Sequence, residues 1–446
     1  MFVTACSGEA PQLLDFLGQQ TGEINFEGMI FRIFNDGDHD LRYIDEGSNA
    51  ATLRHEKLLA RLDEVEKKYN CTIITHSGEE TEFPLAYASG LPFADFVNLR
   101  LKDSYPMYIA GYFTPVNDIM TIDLSSGKYG SEALIDTFTI NGDTFAFHPT
   151  QWGQGPVGFS DGMVYNPELL TQINMPTPHE YYEQGDWNWD ALEQIGKAAV
   201  SISTEDYPVY LSPSNDYFFR MLILSNCGEY IKEDENGKFS YGLIDPKVTQ
   251  ALQFGNDLYT NKILEQTSGA HEQIVDKFAK NYYVFMCEYS GYGVGDLIST
   301  GSDDLAGEMQ SVGYCYAPDG PQAGDNTRGV ISNENSFYSV TREKAGDMDT
   351  LGVFMELLFA PLDEDPNEWI EEFKTMNFFD PDSAEVYMTK ATNSYFDKVI
   401  FAYTNDTLFD AIDTAGKRGT ISESLQSIAS SVNAALDSGI NAGVRK

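Results

Sequence analysis

The chain has 446 residues, 42% hydrophobic and 13% aromatic, which is enough for two or three packed domains and too much for one core. Asp and Glu number 69 against 28 Lys and Arg, a formal charge of −41, and that field repels nucleic acid and anionic lipid. No apolar run reaches the roughly 18 residues of a membrane-spanning helix.

Residues 7–24 hold Ser, Gly and Gln without a period, and residues 1–24 read as a tether. "GMIFRIFNDGD" (28–38) reads as a buried strand running into a polar loop. A helix follows with Leu58, Leu62, Val65 and Tyr69 on one face, Lys67 and Lys68 in its last turn and Asn70 placed to cap it. "CTIITHSG" (71–78) and "FADFVNLRL" (93–101) are the next strands, with a short helical stretch between them. Strand, helix, strand, helix, strand implies a parallel sheet covered on both faces. Such sheets bind ligands beyond the carboxyl ends of their strands. Here those ends are Asn35-Asp36-Gly37-Asp38 and Asn98-Leu99-Arg100.

After about residue 145 the pattern restarts as a second α/β unit. "GMVYNPELLTQINM" (162–175) is a strand leading into a helix. "DWNWDALEQIGKAAV" (186–200) opens a helix with Asn188 as cap, Asp190 in the first turn and Trp187 stapled onto Leu192. Residues 208–224 give a strand, a polar loop and a helix, and 244–264 a long amphipathic helix. "YYVFMCEYSGYG" (282–293) is a strand breaking into a Gly/Tyr loop. A strand near 331–340 precedes a helix through Leu351, Phe354, Met355 and Leu358. The last helix carries Leu425, Ile428, Val432 and Leu436, with Thr420 and Glu423 as its capping box.

Five cysteines without a C-x-x-C pair exclude a disulfide framework and zinc knuckles. Cys71, Cys227, Cys287 and Cys315 read as small buried hydrophobes. The six histidines show no zinc spacing. The acidic runs at Asp363-x-Asp365-x-Asn367 and Asp36-x-Asp38-x-Asp40 lack the Gly and the bidentate Glu of a calcium loop. No metal and no cofactor is expected.

The order of several segments resembles the extracellular solute-binding proteins, family 1, which serve bacterial ABC importers and are distantly like maltose-binding protein. "VYNPELL" (164–170), "GDWNWDAL" (185–192), "CGEYIKEDENGKFSYGLIDPKVTQALQF" (227–254), "FAKNYYVFMCEYSGYG" (278–293) and "VGYCYAPDGPQAG" (312–324) follow one another as that family's motifs do. With "GMIFRIFNDGD" and "ASGLPFADFVNL" near the start, the resemblance covers 28–440. Lys280-Asn281 and Phe34-Asn35 depart from its pattern, which bears on the ligand more than on the fold.

The resemblance implies an α/β, two-lobed periplasmic-binding-protein-like fold, with hinge strands and a ligand cleft between the lobes. Residues 25–147 plus 332–395 would form the N-terminal lobe, and 148–331 plus 396–446 the C-terminal lobe. It implies a monomeric, non-enzymatic carrier on the outer face of the bacterial membrane that delivers a carbohydrate to the permease subunits of an ABC transporter. Val3-Thr4-Ala5-Cys6 then fits a lipobox, making Cys6 the site of a lipid anchor and the chain's sole hold on the membrane. Only five residues precede Cys6, so the true start is expected upstream.

A sugar offers apolar C–H faces and a rim of hydroxyls, so its site needs aromatic rings beside carboxylates, amides and Arg. The family pattern points to Asp36 and Asp38 after the first strand, and to Arg100, Lys102 and Asp103 after "FVNL". It also points to Tyr217 before a second-lobe helix, Tyr289 and Tyr292 after the "VFM" strand, and Tyr403 in "FAYTND". Trp152 near a lobe crossing and Glu334 and Asn335 at the returning strand complete the candidates. Trp187 and Trp189 are explained by their helix start. A neutral oligosaccharide is the expected ligand, with a peptide or polyamine also open. An acidic glycoside hydrolase, needing two carboxylates about 5–9.5 Å apart, and a surface adhesin are the competing readings.

Overall fold

The computed structural model describes residues 24–37, 41–42, 49–90, 92–152, 156–159, 162–267, 269–288, 309, 311–324, 329–331, 335–342, 348–365, 367–392, 394–396 and 405–443. Cys6, Asp38, Tyr289, Tyr292, Glu334 and Tyr403 lie outside them, as does the expected tether through residue 23.

β1 (Met29–Asp36) carries the predicted apolar run because both of its faces are covered. Phe31 and Ile33 point into one core and Phe34 into the other. The helix Asn49–Tyr69 leads back to β2 (Cys71–Gly78), which pairs parallel with β1. Leu58, Leu62 and Val65 are buried as the spacing predicts. Asn70 ends the helix at φ 53°, a left-handed position that Asn tolerates. β3 (Phe96–Arg100) pairs parallel with the other side of β1, and Leu101 already begins the helix Leu101–Ile109. β4 (Phe113–Thr114) and the hairpin β5 (Thr139–Ile140) and β6 (Asp143–Thr144) follow. Asn141 and Gly142 turn that hairpin with φ of 54° and 88°, the conformation two-residue loops prefer.

The chain then crosses to the second lobe. β7 (Gly162–Tyr165) is the middle strand of its sheet, and β8 (Ile231–Glu233) and β9 (Phe239–Tyr241) form a separate hairpin. β10 (Phe285–Glu288) and β11 (Gly313–Cys315) flank β7, both antiparallel to it. The second unit thus differs from the first, whose β1, β2 and β3 are parallel. Its predicted strand at 208–211 appears as parallel bonding, Tyr210 N–H to the Tyr282 carbonyl (2.8 Å) and Phe285 N–H to the Leu211 carbonyl (2.8 Å). β12 (Gly329–Ile331) leads back, and β13 (Ser336–Thr341) inserts antiparallel between β3 and β4. The first-lobe sheet therefore runs β2-β1-β3-β13-β4. β14 (Ser394–Phe396) pairs parallel with β12.

Two expectations are corrected. Residues up to 395 do not all return to the first lobe. The helix Pro381–Thr392 packs on the second-lobe sheet, where Tyr314 N–H donates to Ser383 Oγ (2.8 Å) and Tyr387 meets Phe159 and Tyr314. Thr420 precedes the last helix, Ile421–Ser438, but makes no capping bond; its hydroxyl instead lies 3.2 Å from Ser424 Oγ. Cys71, Cys287 and Cys315 are buried as expected, whereas Cys227 is half-buried at φ 54°.

Candidate functional site

The carboxyl ends of β1, β2 and β3 lie side by side, since Asp36 stands opposite Gly78 and Asn35 opposite Asn98. Sheet geometry therefore converges the side chains that follow these strands. Arg100, the last residue of β3, donates from Nε to Asp103 Oδ2 (3.0 Å), and the same nitrogen lies 2.9 Å from Asp36 Oδ2 in an ion pair. Its Nη2 lies 3.4 Å from Glu80 Oε2. One guanidinium thus faces three carboxylates from three different strand ends.

Exposure within the cluster is graded. The Asp36 side chain is 7% exposed and Arg100 33%, so Asp36 anchors the guanidinium from below while Arg100, Asp103 and Glu80 reach the rim. Burial pushes the Asp103 pKa up, against the opposing pull of Arg100 and Lys102, with Glu80 and Asp36 adding to the rise. Fixed carboxylates beside a guanidinium can accept and donate hydrogen bonds in set directions, which is the chemistry a polyol requires. Among the described residues no three His, Cys, Asp or Glu side chains are grouped to hold a metal ion. No described helix is long and apolar enough to cross a membrane.

In the second lobe Tyr217 lies in the first turn of the helix Asp216–Ser225, which Asn215 caps by accepting from Phe218 N–H (3.0 Å). Its half-buried ring faces the Arg220 guanidinium, 5.1 Å from the ring centroid, and that guanidinium stacks on Phe409 at 3.7 Å. Asp216 lies 3.4 Å from Arg220 Nη1, and burial raises its pKa.

The chain has the fold of a well-populated group of solved structures. No protein-family model matches it, and no curated protein sequence does. The sugar-binding protein MalE from the phytopathogen Xanthomonas citri matches with a TM-score of 0.66 at 14% identity, over 92% of this chain and 98% of that one. The cyclic α-maltosyl-1,6-maltose binding protein from Arthrobacter globiformis gives 0.64 at 14% identity, over 92% and 100%. The GacH receptor of Streptomyces glaucescens, solved unliganded and with acarbose, gives 0.56 at 14% identity, over 92% and 96%. The fold is that of the two-lobed solute-binding proteins.

On the solute-binding fold the candidates separate. Asp36, Arg100 and Asp103 come together on the first lobe, and Tyr217 stands on the second. Trp152 does not present a face to any cleft. It is 0% exposed, packed edge-on against Phe359 (4.8 Å) and Tyr338 (6.1 Å) in the first-lobe core. Asn335 is committed elsewhere too. Its Oδ1 accepts from Gly158 N–H (2.9 Å) and its Nδ2 donates to the Gly158 carbonyl (2.8 Å). That pairing clasps two crossing segments, beside the Phe159–Ile331 bridge. Trp187 donates to the Tyr316 carbonyl (2.9 Å) and Trp189 stacks on Phe254 (4.6 Å), so both serve packing as expected. Glu80 is the residue that sequence reasoning missed. It lies two residues past β2, and the same carboxyl-end rule that found Asp36 and Arg100 points to it.

Proposed function

We propose that this protein is the extracellular binding component of an ABC importer and captures a neutral oligosaccharide between its lobes. The observation that carries the reading is the likeness of fold, over 92% of the chain, to structures described as sugar-binding proteins. The rim of the first lobe supports it. Three carboxylates on one guanidinium favour hydroxyls and disfavour uronates and sugar phosphates.

In this reading Asp36 fixes Arg100, and Arg100, Asp103 and Glu80 hydrogen-bond the ligand from one lobe. Asp38 and Glu334 would join them on that lobe, and Tyr217 would supply an apolar ring from the other lobe together with Tyr289, Tyr292 and Tyr403. Ligand that touches both lobes favours the closed form by its extra affinity for it, and hinge closure is the general behaviour of periplasmic binding proteins. The carrier would act as a monomer, held at the membrane by a lipid on Cys6, and would hand its sugar to permease subunits.

A thermal-shift screen across mono- and oligosaccharides tests the proposal, because a ligand that binds the native state stabilises it by RT ln(1 + [L]/Kd). A saturable rise with a neutral oligosaccharide, and no cleavage products on incubation, is the expected result. Hydrolysis of the sugar, or silence across the panel, would overturn it.

A further inference from the structure

On the strands that end in the rim cluster and on their neighbour β13, one face of the first-lobe sheet carries buried polar atoms that have no protein partner. Asn35, Asn98 and Tyr338 stand in register on the adjacent strands β1, β3 and β13. Strand alternation puts Asn35 on the face of Phe31 and Ile33, and Asn98 on the face of Phe96, inside the aromatic core that also holds Tyr338 and Trp152. Asn98 Nδ2 donates to Asn35 Oδ1 (3.1 Å). Asn35 Nδ2, Asn98 Oδ1, Tyr338 OH and the Trp152 Nε1 are all buried and unbonded. Exchanging oxygen and nitrogen in both amides changes which residue donates, and still leaves one amide NH2 and one carbonyl over.

Leaving four such atoms dry is costly, because a buried polar group without a partner keeps its desolvation penalty. Native proteins meet the need with internal water, which makes about three hydrogen bonds per molecule. We propose that this face of the first-lobe sheet is a binding site for ordered internal water, on the same strands, β1 and β3, that end in Asp36 and Arg100. The donor and acceptor balance selects the occupant. Asn35 Nδ2 and Trp152 Nε1 only donate, Asn98 Oδ1 only accepts, and Tyr338 OH does either. A small neutral molecule that both accepts and donates serves all four. An anion that carries no proton, such as chloride or sulfate, cannot donate to Asn98, and a metal cation cannot accept from Trp152.

The test uses the full chain and the conservative variant Tyr338→Phe, which keeps the ring. If water bonds the hydroxyl, its removal strands that water, and the melting temperature falls by about 2–4 °C. In a dry core the same change deletes an unpaired hydroxyl, and the melting temperature stays level or rises. A crystal structure of the unaltered chain gives the direct arm. Ordered water bonded to at least two of the four atoms is expected. Protein groups closing on those atoms, or a dry face, would overturn the proposal, as would a melting temperature for Tyr338→Phe that does not fall.

Discussion

Asp103 shows how a side chain can be held in a cluster at the expense of stability. Burial lifts its pKa above the ordinary 3.8, outweighing the lowering by Arg100 and Lys102. A carboxyl with a raised folded pKa holds its proton more tightly folded than unfolded. Its ionisation therefore subtracts stability, a penalty absent below the unfolded pKa and complete above the folded one. Asp103→Asn imitates the protonated form. Relative to the parent, its ligand-free melting temperature is expected to climb as pH rises through the carboxylate range and to converge with it near about pH 3. A difference that stays constant with pH would contradict this account. The same variant should bind sugar more weakly, since an amide accepts less strongly than a carboxylate. Trp152 teaches the opposite lesson at this scale. Between Gln151 and Gly153 its surroundings look like an exposed loop. The rings that bury it, Tyr338 and Phe359, come from distant parts of the chain, and no local pattern announces them.

Elements divide by how much of their environment is periodic. β1 was legible because Met29–Phe34 is apolar save for Arg32, and the helix Asn49–Tyr69 because Leu58, Leu62 and Val65 repeat at helical spacing. β4 and β14 span two and three residues, too few for any period to register. The destination of the helix Pro381–Thr392 was hidden for another reason. Its partners, Phe159 and Tyr314, are fixed by topology rather than by neighbours in sequence. Of the candidates, the carboxyl-end rule points to Asp36 and Arg100 and the family pattern to Asp103, and these three cluster; for Asn335 no local pattern announces that both ends of its amide hold Gly158. Asn335→Ala removes that clasp and leaves the Gly158 N–H and carbonyl without their partner. The expected loss is about 1–3 kcal/mol in urea denaturation. Unchanged stability would mean that the clasp is dispensable to the crossing.

At the scale of the whole molecule, charge and architecture set the behaviour. A formal charge of −41 makes the compact state repel itself, and salt screens that repulsion as the Debye length shortens from about 30 Å at 0.01 M to about 8 Å at 0.15 M. The melting temperature is therefore expected to rise with sodium chloride over that range. A fall would show that attractive pairs such as those around Arg100 dominate the field. Two lobes are joined by the segments around Gly158, β12 and β14, and the proposed capture of a solute would use them as its hinge. Small-angle scattering with and without an oligosaccharide that raises the melting temperature tests this most directly. The radius of gyration should fall on saturation while the sugar remains uncleaved. A ligand that binds and leaves the dimensions unchanged would contradict capture by closure of the two lobes.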